Sequence, residues 1–267
     1  MAGNGPVLNL LFIGDVVGKG GRNAVRLLTP ELKQRFHCSF AIVNGENSAN
    51  GAGFSLSCIK DMEIADVLTA GDHVWDQKNF ETEILSVKNL VRPANLSSLQ
   101  PGKGWNVFRN PAGGEVAVIS LMGKVFMKES AYCPFETVEK ILPQIPRTVK
   151  CIIVDLHAEA TSEKAAMAWF LDGRVTAVIG THTHVQTADE RVNPKGTGYI
   201  TDLGMTGPYH SVLGVRIEQS IAMFRGDLTE YFKTAPGDCA VSGAVFEIER
   251  GGKCVSVERV WKEYKVR

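Results

Sequence analysis

The chain predicts an α/β layered fold in a single domain over residues 1–267, with a second β-sheet packed on the first. Three observations carry that expectation. Apolar runs of strand length recur with helix-like stretches between them, which is the pattern of β/α layering. Several of those runs are hydrophobic throughout, as strands covered on both faces are. No Pro/Ser-rich linker, internal repeat or low-complexity tract divides the 267 residues, and that length is ordinary for one α/β domain.

Val7–Ile13 is the first strand-like run. Arg22–Phe36 places Ala24, Val25, Leu27, Leu28, Leu32 and Phe36 at mostly helical spacing and reads as a helix. Phe40–Val43 and Val67–Ala70 are the next strands. Leu90–Pro111 is rich in Asn, Pro, Ser and Gly and reads as a surface loop. Strands resume at Val116–Leu121, Cys151–Leu156 and Val175–Ile179. Between the last two, Ser162–Leu171 carries an apolar face behind Thr161, the expected N-cap. The last third changes character. Gly198–Thr201, Val241–Ile248 and Cys254–Val260 are β-like and separated by Gly-rich turns, with Gly251-Gly252 as a hairpin turn. These strands are the expected second sheet.

Lys+Arg and Asp+Glu both number 29, so the net charge is zero. That argues against a DNA-coating surface or a polybasic membrane anchor, while leaving room for a local nucleotide site. No apolar run approaches the ~20 residues of a membrane span. The first residues lack the charged region and cleavage site of a signal peptide. The six cysteines are scattered with no Cys-x-x-Cys, and several sit in or beside strand-like runs. They read as reduced core thiols in a cytoplasmic protein.

The chemistry-bearing residues cluster at strand ends. Asp15 follows the first strand, Glu46 and Asn47 the second, Asp72 and His73 the third; His157 and the pair His182/His184 follow two later ones. In open α/β sheets that edge is where ligands bind. Singly, Asp15 reads as a helix N-cap, Glu46-Asn47 as turn residues and His157 as a hydrogen-bonded surface imidazole. Together they read as a metal site. A mixture of Asp, Glu, Asn and His suits Mn, Fe, Zn or Co. There are more ligands than one ion needs, and two ions sharing a bridging carboxylate would use them all. On extended chain, the side chains of His182-x-His184 leave from the same side, to serve one metal each or one together. The glycines around Asp15, in GDVVGKGG at 14–21, match no Walker motif and read equally as a phosphate approach or as tight turns.

Longer motifs add a resemblance. GDVVGKGGR at 14–22, VNGENSANGAG at 43–53, TAGDHVWD at 69–76, HAEATSEK at 157–164, THTHVQTADE at 181–190 and TDLGMTGPYHSVLG at 201–214 closely resemble the bacterial metallophosphoesterases of the YmdB type, within the calcineurin-like phosphoesterase superfamily. The resemblance runs essentially end to end. It implies a four-layer sandwich, two packed sheets flanked by helices, with a dinuclear metal centre at the strand C-termini. It implies that Asp15, Asn47 and His184 hold metal one, that Glu46 bridges, and that Asp72, His157 and His182 hold metal two. His73 becomes the nearby imidazole of the Gly-Asn-His motif and the candidate general acid. Two divalent ions per chain are expected, iron or manganese first, with zinc, cobalt and magnesium as alternatives.

The implied activity is phosphodiester hydrolysis of cyclic nucleotides of the 2′,3′-cyclic AMP type, by attack of a hydroxide shared by the ions. The partner is a small nucleotide or phosphodiester, with no membrane and no sequence-specific nucleic acid, and family members resemble oligomers. Two departures stand out. Asp72 replaces the family's usual Asn and adds a negative charge. His210 stands where the GPYHS loop usually carries Asp, and is a candidate substrate contact. The loops Leu90–Pro111 and GPYHS are the expected substrate walls. Competing functions are a phosphatase or nuclease on another phosphate ester, a weakly catalytic nucleotide-binding regulator, and, from His-x-His, an amidohydrolase-like hydrolase.

Overall fold

The structure, a computed structural model, describes residues 8–128, 130–227 and 232–265. The expected start of the first strand, Val7, lies outside the described residues. In chain order come β1 (Leu8–Ile13), α1 (Gly18–Arg35), β2 (Cys38–Asn44), α2 (Leu56–Asp61), β3 (Val67–Thr69), α3 (Phe80–Glu83) and β4 (Leu90–Val91). Then follow β5 (Trp105–Arg109), β6 (Glu115–Met122), α4 (Pro134–Ile141), β7 (Cys151–His157), α5 (Thr161–Phe170), β8 (Ala177–Thr181), β9 (Arg191–Val192) and β10 (Gly198–Ile200). The chain ends with β11 (Gly207–Pro208), α6 (Ile217–Phe224), β12 (Cys239–Ile248) and β13 (Cys254–Tyr264).

Two mixed sheets result. The first runs β11-β12-β1-β2-β3-β4, with β13 paired to β12; the second runs β5-β6-β7-β8-β10-β9. Strands β1 to β4 are mutually parallel, as are β6, β7, β8 and β10. The inter-sheet core packs Leu10, Phe12, Phe40 and Ile42 of the first sheet with Val116, Val118, Ile153 and Ile179 of the second. The alternate residues of β1, Leu11 and Ile13, face the other way, against Ala24, Val25 and Leu32 of α1. On the opposite side Val154 and Leu156 of β7 pack on Val138 and Ile141 of α4 and on Met167 and Ala168 of α5. The layers are therefore helix, sheet, sheet, helix, as expected.

Three expectations need correction. Of the three strands expected in the last third, only β10 joins the second sheet; β12 and β13 extend the first. β12 is buried along nearly all its length, so it takes an interior place, antiparallel to β1 from Leu8↔Ile248 to Ile13↔Gly243. The segment Leu90–Pro111 is not all loop, since it contains β4 and the edge strand β5, which pairs antiparallel with β6. Thr161 is the first residue of α5, not its cap; Ala160 precedes it, with no side-chain cap. The hairpin turn between β12 and β13 stands, closed by the Gly252 N–H on the Glu249 carbonyl at 2.8 Å. No helix among the described residues is long and apolar enough to cross a membrane. All six cysteines are free, and five of them are buried.

Candidate active site

The parallel strands of both sheets end at one rim, and each sheet delivers its own chemistry there. The first supplies Asp15 after β1, Glu46 and Asn47 after β2, and Asp72 and His73 after β3. The second supplies His157 as the last residue of β7, and His182 and His184 after β8. Apart from His73, oxygen donors thus come from one sheet and imidazoles from the other.

At one pole, His157 Nε2 lies 2.9 Å from Glu46 Oε1, 2.9 Å from Asp72 Oδ1 and 3.0 Å from His182 Nδ1. These four residues can present one ligand atom each, all within 4.8 Å of one another. At the other pole, His184 Nε2 lies 3.1 Å from Asn47 Oδ1. Asp15 lies against the first pole: its Oδ2 accepts the His182 backbone N–H at 2.9 Å, and its Oδ1 lies 3.8 Å from His157 Nδ1. Asp15 does not cap α1, whose N-cap is Val17.

The second ring nitrogen of each of these imidazoles has its own partner. Thr181 Oγ1 donates to Asp155 Oδ1 at 2.8 Å, so it accepts from His157 Nδ1–H at 2.9 Å. Asn44 and Thr69 also donate to Asp155, which is fully buried below the rim. His182 Nε2 faces Glu159 Oε2 at 3.2 Å, and His184 Nδ1–H donates to the Leu213 carbonyl at 3.1 Å. This backing fixes which nitrogen turns inward, as it does for metal-bound histidines.

The inward atoms fit a cation. Asp15 Oδ1 and Glu46 Oε2 are buried with no hydrogen-bond partner among the described residues. Burial holds the His184 pKa below its usual value, so the ring is neutral and its bare Nε2 faces the Asn47 carbonyl oxygen. Two acceptors face to face call for a positive charge between them. At the other pole burial alone would lower the His157 pKa, but the charge of Glu46 and the hydrogen bonds of Asp72 and Glu46 raise it well above the ordinary value. Burial raises Asp72, yet bonds from His157 and His182 outweigh it and keep that carboxyl far below the usual range. Asp72 is therefore fully charged, a difference from a neutral Asn. Burial, with Asp202 and Glu46 nearby, pushes Asp15 well above its usual value. The donor set, carboxylates with imidazoles and an amide, is one that can hold a divalent metal ion.

The His-x-His pair is not extended, contrary to expectation. His182 has φ 102° and His184 φ 63°. The two rings consequently part, one to each pole. Left-handed backbone on non-glycine residues is strained and persists only when its surroundings hold it. Here Asp15 holds the His182 N–H, and Asp202 Oδ2 holds the Thr183 N–H at 3.0 Å. Asp202 in turn is paired with Lys164 Nζ at 2.7 Å, both residues being fully buried.

His73 stands beside the cluster with its side chain about 37% exposed, Nδ1 at 2.7 Å from Asp76 Oδ2. Burial lowers its pKa, but Glu46, Asp72 and Asp76 together raise it above the ordinary value. His210 is not brought to the cluster by any described contact. It packs at 4.3 Å on the Tyr209 ring and lines a cleft with Arg216, Ile217 and Glu218. Sequence reasoning missed Gly71, where a Cβ would collide with Glu46 Oε2 and with the His157 ring. The glycines near Asp15 serve packing: a Cβ at Gly14 would collide with the Gly204 carbonyl, and one at Gly21 with the Thr206 carbonyl. Also missed were Asp155, Thr181, Glu159, Lys164 and Asp202. Asp155 left a signal, a charge inside the apolar run CIIVDL.

Known proteins resemble this chain along nearly its whole length. The sequence model described as YmdB-like protein matches residues 11–260. A 2′,3′-cyclic-nucleotide 2′-phosphodiesterase of Bacillus subtilis is 44% identical over 256 residues, covering 95% of this chain and 96% of its own. The crystal structure of a hypothetical protein from Thermus thermophilus superposes with a TM-score of 0.88 at 36% identity, covering 96% of this chain and 99% of the other. A structure titled a novel phosphatase, from Mycoplasma pneumoniae, gives 0.89 at 35% identity, covering 97% and 94%. With its layers, its rim of ligands and these matches along nearly its whole length, the chain belongs to the YmdB-like protein family and is a hydrolase of phosphoric esters.

Proposed function

We propose that the protein hydrolyses a nucleoside 2′,3′-cyclic phosphodiester with the help of two divalent cations. The observation that carries this reading is the pair of unpartnered buried carboxylate oxygens, Asp15 Oδ1 and Glu46 Oε2, in a rim that also holds three inward imidazole nitrogens. Asp15, Asn47 and His184 would hold one ion, Asp72, His157 and His182 the other, with Glu46 shared. Iron and manganese match the donors best. Divalent cations supply Lewis-acid polarisation of the phosphoryl oxygens and an acidified water.

The chain's own residues do the rest. Asp76 occupies His73 Nδ1 and leaves the Nε2 proton to give. Against the effect of burial, Glu46, Asp72 and Asp76 raise the His73 pKa and so favour the protonated ring, which suits His73 to protonate the departing ribose oxygen. Asn47 is oriented by its own amide, which donates to the Gly51 carbonyl at 3.1 Å and turns Oδ1 inward. The Asp155–Thr181 pair keeps His157 in the tautomer whose Nε2 faces the rim. The extra charge of Asp72 would tighten the binding of a cation and weaken that cation's polarisation of phosphate.

The six free thiols, five of them buried, favour a reducing, cytoplasmic setting. The test is hydrolysis of 2′,3′-cyclic AMP by protein loaded with Mn or Fe, with metal stoichiometry measured on the same sample. Turnover with about two metals per chain supports the reading. The Mycoplasma pneumoniae neighbour, described as a novel phosphatase, favours a second reading, phosphomonoester hydrolysis on the same rim. Faster turnover of a nucleoside monophosphate than of the cyclic ester would establish it instead.

A further inference from the structure

We propose that the cleft flanking His73 and His184 is a nucleoside subsite that takes the base of the cyclic nucleotide. This rests on the phosphodiesterase reading above. The cleft measures about 310 Å³ and is lined by Val17, Leu213, Val215 and Phe232 together with His73 and His184. It reaches the size of small-molecule sites, which begin near ~300 Å³. A second cleft touching the cluster, beside Asp72, Trp75 and Asp76, measures about 120 Å³ and is too small for a nucleoside.

The direction follows from the chemistry. Hydrolysis of a cyclic phosphodiester adds a water oxygen to phosphorus and breaks one phosphorus–oxygen bond. The departing oxygen stays on the ribose and takes up a proton, giving a nucleoside monophosphate. His73 stands beside the rim and lines the cleft, so a ribose joined to a phosphate on the rim lies near it and the base continues on the same side. Phosphate on the rim and ribose at His73 direct the base into the cleft that His73 lines.

Two apolar side chains stand half open at this mouth, Leu213 at 50% exposure and Phe232 at 49%. Leu213 is also held at φ 52°, a strained conformation for a leucine. The strain has a use: its carbonyl orients His184, while its side chain forms the cleft wall. Strain of this kind gathers at ligand clamps. A wall of carbon with an aromatic ring holds a base by stacking and burial, so the larger face of a purine is favoured over a pyrimidine.

The test compares 2′,3′-cyclic AMP with glycerol 1,2-cyclic phosphate, the same five-membered ester without a base, on Mn-loaded enzyme. The wild-type protein prefers the nucleotide, and Phe232→Ala lowers the ratio of the two kcat/KM values about tenfold, mainly through KM, with Phe232→Tyr restoring it. Val215→Asn moves the ratio the same way. Equilibrium binding of adenosine 3′-phosphate, which requires no turnover, weakens in step. Metal content and melting temperature of each variant confirm that the rim is intact. An unchanged ratio in both variants, with the nucleotide still hydrolysed, overturns the subsite alone. A wild-type enzyme that cleaves neither cyclic ester overturns the phosphodiesterase reading, and the subsite with it.

Discussion

Replacing Lys164 with Met removes the ammonium that lies 2.7 Å from Asp202 Oδ2, while both side chains are wholly screened from water. Asp202 would keep two backbone donors, Thr183 N–H at 3.0 Å and Gly204 N–H at 2.8 Å, but its charge would lose its counter-ion. Breaking one side of a buried pair costs about 3–5 kcal/mol. At roughly 2–4 °C per kcal/mol for a chain of this size, the metal-free protein should melt about 6–20 °C lower. Asp202→Asn should be comparably harmful, and the double variant should cost less than the two singles together, because the second change removes the orphan left by the first. The assay is a double-mutant cycle on urea denaturation, with Mn affinity measured in parallel. The loop carrying His182 and His184 hangs on Asp202, so Mn affinity should fall in the singles. A loss under about 1 kcal/mol in Lys164→Met, or additive singles, would refute the reasoning.

Other perturbations have defined outcomes. Glu46→Gln should lose both metals, as elemental analysis after dialysis would reveal; full metal content would rule out the bridging place. His73→Ala should lower kcat with metal content intact, whereas metal loss would make His73 a ligand. The His73 pKa is raised, so the acid form persists below that value and is lost as pH rises through it. Asp76→Asn should therefore move the alkaline limb of kcat to lower pH, and an unmoved limb would separate Asp76 from the acid. Burial pushes Cys38, Cys151 and Cys254 up to about 12 and Cys239 to about 11, while Cys58 is buried and Cys133 half-open. A thiol reagent at pH 8 should label Cys133 in the native protein and all six cysteines after denaturation. Fast native labelling of the others would contradict their burial.

The site was legible wherever the signal was local. Asp15, Glu46, Asp72, His157 and His182 each follow an apolar run, and the step from strand to strand end is visible in the letters. The torsions at His182 and His184 were not, because they are imposed by Asp15 and Asp202, distant in sequence. Lys164 reads as one more solvated charge on a helix until its partner, 38 residues away, is known. The assignment of β12 was equally non-local, since both of its faces are buried by segments the strand does not name. Leu90–Pro111 misled because glycine, proline and asparagine surround the short run Trp105–Arg109, which is only half-buried, as an edge strand is.

That oxygens come from one sheet and imidazoles from the other turns the rim into a clasp across a seam. An ion held there binds only the docked pair of sheets, so its binding energy adds to the work of pulling them apart, by about 2.7 kcal/mol at a hundred times its dissociation constant. Cation affinity then becomes a gauge of inter-sheet packing. Trimming Phe12 or Ile153, which touch no rim residue's chemistry but fill the space between the sheets, should loosen the grip on metal from well below the rim. In such a molecule selection for activity and selection for a tight interior act on the same contacts.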